Sequence, residues 1–258
     1  MFDSLDVSIL LPAFLAGMIV LLTHIPLGRE VIRRGIIFID MAVAQIAGLG
    51  VLVAYQFGWD MHGIQAQMAA VLSALIGVWL LHSIEKKAGE HLEALIGVSF
   101  VLAATASVLM LSNNPHGGEH LKELLVGQIL WVDWSQIISA ALMSVFVVFI
   151  WFNYRNRIGG IGFYILFALS ITLSVQLIGV YLVFASLIIP ALAAAKYQTK
   201  PALVIAGIVG ITGYLAGLIV SALFDLPSGA VIVWCLAISA FVIPVLLSNL
   251  LLTVENKS

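Results

Sequence analysis

Ile158-Gly-Gly-Ile-Gly162-Phe-Tyr-Ile-Leu-Phe167-Ala-Leu-Ser170-Ile-Thr-Leu-Ser174-Val-Gln-Leu-Ile178-Gly179-Val-Tyr-Leu-Val-Phe184-Ala-Ser186-Leu-Ile-Ile-Pro190-Ala-Leu-Ala-Ala-Ala195 contains no Asp, Glu, Lys or Arg. A helix crosses a bilayer in about 20 apolar residues. The stretch therefore exceeds one crossing, and it accommodates two short spans that turn near Ile178-Gly179. It shows no sustained alternation of apolar and polar residues, which excludes a transmembrane β-barrel strand pattern.

The rest of the chain repeats the pattern. No charge occurs between Asp6 and Arg29, and the stretches 41–59, 61–84, 94–118, 134–154, 201–224 and 226–254 are equally bare. Of the 258 residues, 62% are hydrophobic and 9% charged. A soluble domain carries about 25% charged residues. So little charge cannot cover a water-facing surface, and a net charge of −2 leaves no basic footprint for nucleic acid. The single cysteine, Cys235, excludes an internal disulfide or a cysteine-rich zinc cluster. The expected fold is an all-α polytopic membrane protein, one transmembrane domain over 1–258, with eight or nine helices. Asp3 and Asp6 precede the first span where a signal peptide would be basic, so that helix is expected to be retained.

Lys and Arg set the orientation. With the N-terminus outside and nine alternating helices, every basic residue except Lys122 falls in an inner loop. Asp3, Asp6, Asp60, Glu119, Glu123, Asp133 and Asp225 then lie outside, with His62, His116 and His120. Such a face attracts cations. Trp59, Trp131 and Trp134 fall at outer boundaries, as interfacial anchors do.

Two places could carry chemistry. Asp40 stands six residues past Arg34, inside a span, where an ionisable group is functional by default; pairing with an arginine at the inner interface is the structural alternative. Gln45 follows five residues later, about 140° round the helix, so it could line the same route only from another angle. The second place is Asn113-Asn-Pro-His116-Gly-Gly-Glu119-His120-Leu-Lys-Glu123. Imidazole and carboxylate at these spacings suit zinc, manganese or iron(II). The His-x-x-Glu-His pattern also matches a protease motif, but Gly117-Gly118 is poor helix and argues for a polar loop. His24 and His82 are expected at inner helix ends as interfacial residues. No Gly-Lys dipeptide occurs, so the chain has no P-loop, and ATP-driven work would need a partner.

Several segments together resemble the permease subunits of zinc- and manganese-type ABC importers. The strongest is Ser174-Val-Gln-Leu-Ile-Gly179 through Ser186-Leu-Ile-Ile-Pro190-Ala. The others are Arg33-Arg34-Gly35 leading to Asp40 and Gly50, Leu124-Leu-Val-Gly127-Gln-Ile-Leu130, Asp225-Leu-Pro227-Ser-Gly229, and the weaker Glu93-Ala-Leu-Ile-Gly97. They occur in family order from about residue 29 to 230 and so cover most of the chain.

The resemblance implies a transporter membrane subunit, not an enzyme, in the bacterial cytoplasmic (inner) membrane. Its partners would be a second copy of itself, cytoplasmic ATPase subunits, an extracytoplasmic metal-binding protein and membrane lipid, with no nucleic acid. Its cargo would be zinc, then manganese or iron, with no tightly bound cofactor. Asp40 and Gln45 are expected on the translocation pathway, and His116, Glu119, His120 and Glu123 as metal ligands on the outer approach. Two departures stand out. Where the family's second helix carries Asp-Ala-Leu-Ser-His, the acid here is displaced to Asp40 and Gln45 replaces the imidazole. The family's acidic inner segment is cut to the turn Arg155-Asn-Arg157-Ile-Gly-Gly160, which makes Arg155 and Arg157 the expected coupling residues, with 85–93 as the other inner loop available. The competing function is a cation channel or secondary transporter that needs no ATP.

Overall fold

The computed structural model describes residues 7–61, 63–112, 114, 117–155 and 157–255; the side chains of Lys86, Glu123, Thr199 and 247–255 lie outside that description. The described chain is helical, in the order α1 (Val7–Arg34), α2 (Ile39–Gln56), α3 (Ile64–Ala88), α4 (Leu92–Leu111), α5 (Gly117–Val126), α6 (Trp134–Tyr154), α7 (Gly159–Ala193), α8 (Thr199–Phe224) and α9 (Ser228–Glu255). Among the described residues, 8 helices are long and apolar enough to cross a membrane, which leaves out only α5.

The deciding stretch folds as α7, and it is broken. Gly179 has φ 77 and ψ 162, outside any helix. Gly159 and Phe163, at the start of α7, border a cleft with Glu30, Arg33 and Arg34. Ala191, near its end, borders a cleft with Arg29, Glu30 and Arg33. Both ends therefore reach one end of the bundle, and the chain doubles back at Gly179. The arms, about 30 Å and about 21 Å long at the helical rise, make α7 a hairpin. Eight helices thus give nine passes among the described residues, which settles the expected eight or nine.

The turn needs glycine twice. Gly127, with φ 69, lies against the backbone of Ile178 and Gly179 so closely that a Cβ on either glycine would strike main-chain atoms.

The two arms of α7 form the centre, with α1 and α2 packed on it. Phe163, Phe167, Ile171, Ile178 and Leu182 are buried along it. A Cβ on Gly28 of α1 would collide with the Leu187 carbonyl, so α1 reaches the returning arm only as glycine. The small residues of α2 serve the same close packing: a Cβ on Gly50 would meet Ser73 and the Ala69 carbonyl of α3. Two pairs of buried hydroxyls satisfy one another, Ser170 Oγ to Thr23 Oγ1 at 2.8 Å and Ser186 Oγ with the Tyr214 hydroxyl at 2.7 Å. Trp79, Leu102, Phe146, Trp234 and Phe241 point outward. In water this would be a large apolar patch; in a bilayer it is the solvent-facing surface.

Two readings of the sequence need correcting. His24 is not interfacial: it is fully buried in α1, with Nδ1 3.1 Å from Thr23 Oγ1. Gly117-Gly118 does not prevent a helix, because α5 starts at Gly117 and packs on α7. Tertiary contact outweighs the poor propensity of two glycines.

Gly127→Ala should lower thermal stability in detergent by about 1–3 kcal/mol from backbone strain alone, while Gly97→Ala, with nothing within 4 Å of the added methyl, should be near neutral. The hairpin has its own check. In a Cys235→Ala background, Arg157→Cys and Lys196→Cys should react with an impermeant thiol reagent from one side of the membrane, and Trp131→Cys and Asp225→Cys from the other. Labelling of Arg157→Cys and Lys196→Cys from opposite sides would rule the hairpin out.

Candidate functional site

α2 starts just after the Gly35 turn, so Asp40 sits in its first turn, at the end of the bundle that holds the arginines. No side chain of its own caps this helix. Instead Glu93, one residue into α4, reaches across and accepts the Phe38 N–H at 3.0 Å. That contact places a second carboxylate at the start of α2, on the N–H of the residue two before Asp40.

Asp40 is 1% exposed, and neither carboxylate oxygen has a side-chain hydrogen-bond partner; the nearest donors are the backbone N–H groups of Asp40 and Met41 in the first turn of α2. Glu93 Oε2 is also buried and without a partner. A bare carboxylate in such surroundings costs several kcal/mol, and two in one place cost more. The arrangement is tolerable when the group is protonated or when a cation sits against it. Gln45 is buried, 5% exposed, and lies deeper in α2.

The arginines expected as Asp40's alternative partners are engaged elsewhere. Glu30, 3% exposed on α1, binds Arg33, Arg34 Nε at 2.8 Å and Arg155 Nη2 at 2.9 Å. Arg34 also lies over the Phe163 ring at 4.2 Å and Arg155 over Trp151 at 5.0 Å. Arg155 is thus fastened to α1, whereas Arg157 stands exposed in the turn between α6 and α7. Next to this knot, His82 bonds Glu85 at 2.9 Å and its ring packs tilted against that of Tyr164, centroids 5.2 Å apart.

At the opposite end, His120 faces the Tyr55 ring at 5.5 Å and lines a cavity of about 400 Å³ with Met61, Gln67, Gln128 and Gln176. Asp133 and Gln136 also border it, but both serve the capping box that starts α6. Glu119 is exposed on the first turn of α5. His116 and the side chain of Glu123 lie outside the described residues. Among the described residues no three of His, Cys, Asp and Glu come together.

Sequence reading missed Glu30 and Glu93. The spacing of Glu30 to Arg33 and Arg34, three and four residues, is a readable signal. Its pairing with Arg155 is not, because it depends on α6 returning to α1. Glu93 likewise becomes a partner only once α4 lies beside α2.

The family described as the ABC 3 transport family matches this chain over residues 6–159 and 154–248. Among solved structures, one titled PsaBC from Streptococcus pneumoniae in complex with Fab is similar over 91% of this chain and 90% of its own, at 19% identity and a TM-score of 0.73. A metal-chelate type ABC transporter in an inward-facing conformation is similar over 94% of this chain and 85% of its own, at 16% identity and a TM-score of 0.61. At these identities the two structures speak for the fold.

Glu30→Ala should be the costliest change at the arginine end. Breaking a buried ion pair costs about 3–5 kcal/mol, and here the arginines can turn partly to solvent, so the lower end is expected. Arg155→Gln should cost clearly less, because Glu30 keeps Arg33 and Arg34. Thermal melts of the two variants in detergent check the order.

Proposed function

The chain belongs to the ABC 3 transport family, and from that premise we propose that it forms the translocation pathway of an ATP-driven importer for a divalent transition metal. The observation that carries this reading is Asp40, buried without a side-chain partner at a helix start that Glu93 caps. A carboxylate left bare in a membrane bundle marks an ion route by default. His120 and Glu119 at the opposite end supply imidazole and carboxylate for an outer approach, and the amide-lined cavity beside His120 gives a hydrated cation room to enter.

Zinc is the first choice of cargo, because imidazole on the approach suits it. Asp40, Glu93 and Gln45 offer only oxygen as ligands, which suits manganese or iron(II), and that donor set favours manganese as the second reading. Hydrolysis belongs to a cytoplasmic ATPase subunit, since the chain has no P-loop. A second copy of this chain and an extracytoplasmic metal-binding protein complete the assembly, by the family's pattern. The exposed Arg157 is the proposed point of contact with the ATPase, and Arg155, tied to Glu30, would carry that contact into α1.

The complex reconstituted in vesicles should hydrolyse ATP faster with one of zinc, manganese or iron(II) outside than with none. Cation entry down its gradient with no ATPase present would support the channel instead. The outer approach has a separate check: His116→Ala with His120→Ala should slow uptake at limiting metal and leave it unchanged at saturation. Unchanged uptake at both concentrations would remove these histidines from the route.

A further inference from the structure

The arginine knot around Glu30 has more positive charge than its own contacts consume. One carboxylate is shared by Arg33, Arg34 and Arg155. A guanidinium offers five N–H donors, and Arg33 and Arg155 each give Glu30 one nitrogen. Their side chains are 66% and 42% exposed, while that of Glu30 is 2% exposed beneath them. The buried carboxylate thus holds the guanidinium groups in place with their free donors turned outward.

These groups rim two adjoining clefts. One, of about 370 Å³, is bounded by Arg29, Arg33 and Arg155, with Trp151, Ala191 and Leu203 as its apolar wall. The other, of about 520 Å³, shares Arg33 and Arg155 and extends to Arg34 and Phe163. Both lie at the end of the bundle where the basic residues collect. By the positive-inside rule this end is cytoplasmic, at the depth of the inner leaflet's phosphates. Phe149, Phe152 and Leu192 are exposed nearby on the apolar part of the same helices. Donors at headgroup depth beside exposed apolar side chains match a molecule that has both a phosphate and acyl chains.

We infer that the clefts between α1, α6, α7 and α8 bind the phosphate of an anionic phospholipid from the cytoplasmic leaflet. Arg33 and Arg155 grip it by charge-assisted, fork-shaped hydrogen bonds, Arg29 adds charge, and Glu30 is the positioning residue. The site is independent of which cation the protein moves, so it stands or falls apart from the importer reading.

The test uses the intact complex in detergent, offered equal amounts of cardiolipin and phosphatidylcholine, with retained lipid counted by native mass spectrometry. The wild-type protein should keep cardiolipin in preference, and less of it as salt rises. Arg29→Gln with Arg33→Gln should cut retention about tenfold or more, the loss expected from removing charge-assisted bonds. Because Arg33 also holds Glu30, Arg29→Gln alone serves as the second variant: it leaves the ion pairs of Glu30 with Arg33, Arg34 and Arg155 in place and should still lower retention several-fold. Lys87→Gln, exposed at the same end but away from the clefts, should change nothing. Equal retention by wild type and both arginine variants would overturn the proposal. Displacement of the lipid by equimolar inorganic phosphate would overturn it in favour of a soluble phosphate compound. Retained lipid with loss of the ATPase subunit in the double variant would reassign the arginines to subunit docking.

Discussion

A charge removed from water must be neutralised where it lies, and two buried acids in this protein answer that demand differently. Glu30 is surrounded by three guanidinium groups and locked. Asp40, at the same end of the bundle, has no side-chain donor on either oxygen. The contrast is the basis of the functional reading. The same short segment, Arg29 to Asp40, contains Arg33 and Arg34, and the fold commits both to Glu30. What remains at Asp40 and Glu93 is negative potential in a low-dielectric place, which a proton or a metal cation can fill.

The backbone crossing of Gly127 and Gly179 does the complementary work at the other end. It clamps the segment after α5 to the bend of α7, while the arms of α7 run back to the arginine end. The outer cavity at His120 and the inner knot at Glu30 are therefore joined by one hairpin that packs on α1, α2 and α3. A displacement of the turn between α6 and α7 would be felt through Glu30 by α1 and through Phe163 by the hairpin, which would give a partner docked at this end of the bundle a mechanical handle. Arg157 is exposed there and Arg155 is not free to move alone.

The spans were legible because charge is scarce and its gaps have bilayer length; even the reversal at Ile178-Gly179 could be read from an apolar run too long for one crossing. Asp40 was legible for the same reason, as an ionisable group where none is expected. Its surroundings were not. Whether Arg34 would turn to Asp40 or to Glu30 depends on helix rotation, and the approach of Glu93 depends on α4 lying parallel beside α2. Local propensity misjudged Gly117-Gly118, which α7 holds in a helix, and His24, which looked peripheral by position and is enclosed by neighbouring helices. The metal-loop reading of His116, Glu119, His120 and Glu123 rests half on described residues, and of these His120 borders the cavity beside Met61.

The central claim is that Asp40 carries the cation. Its most direct test is metal uptake and ATP hydrolysis measured together in vesicles containing the complex with Asp40→Asn, a change that keeps shape and removes charge. The account predicts an assembled, folded complex whose metal uptake falls at least tenfold while ATP binding and basal hydrolysis persist. Uptake at the wild-type rate by that variant would contradict it.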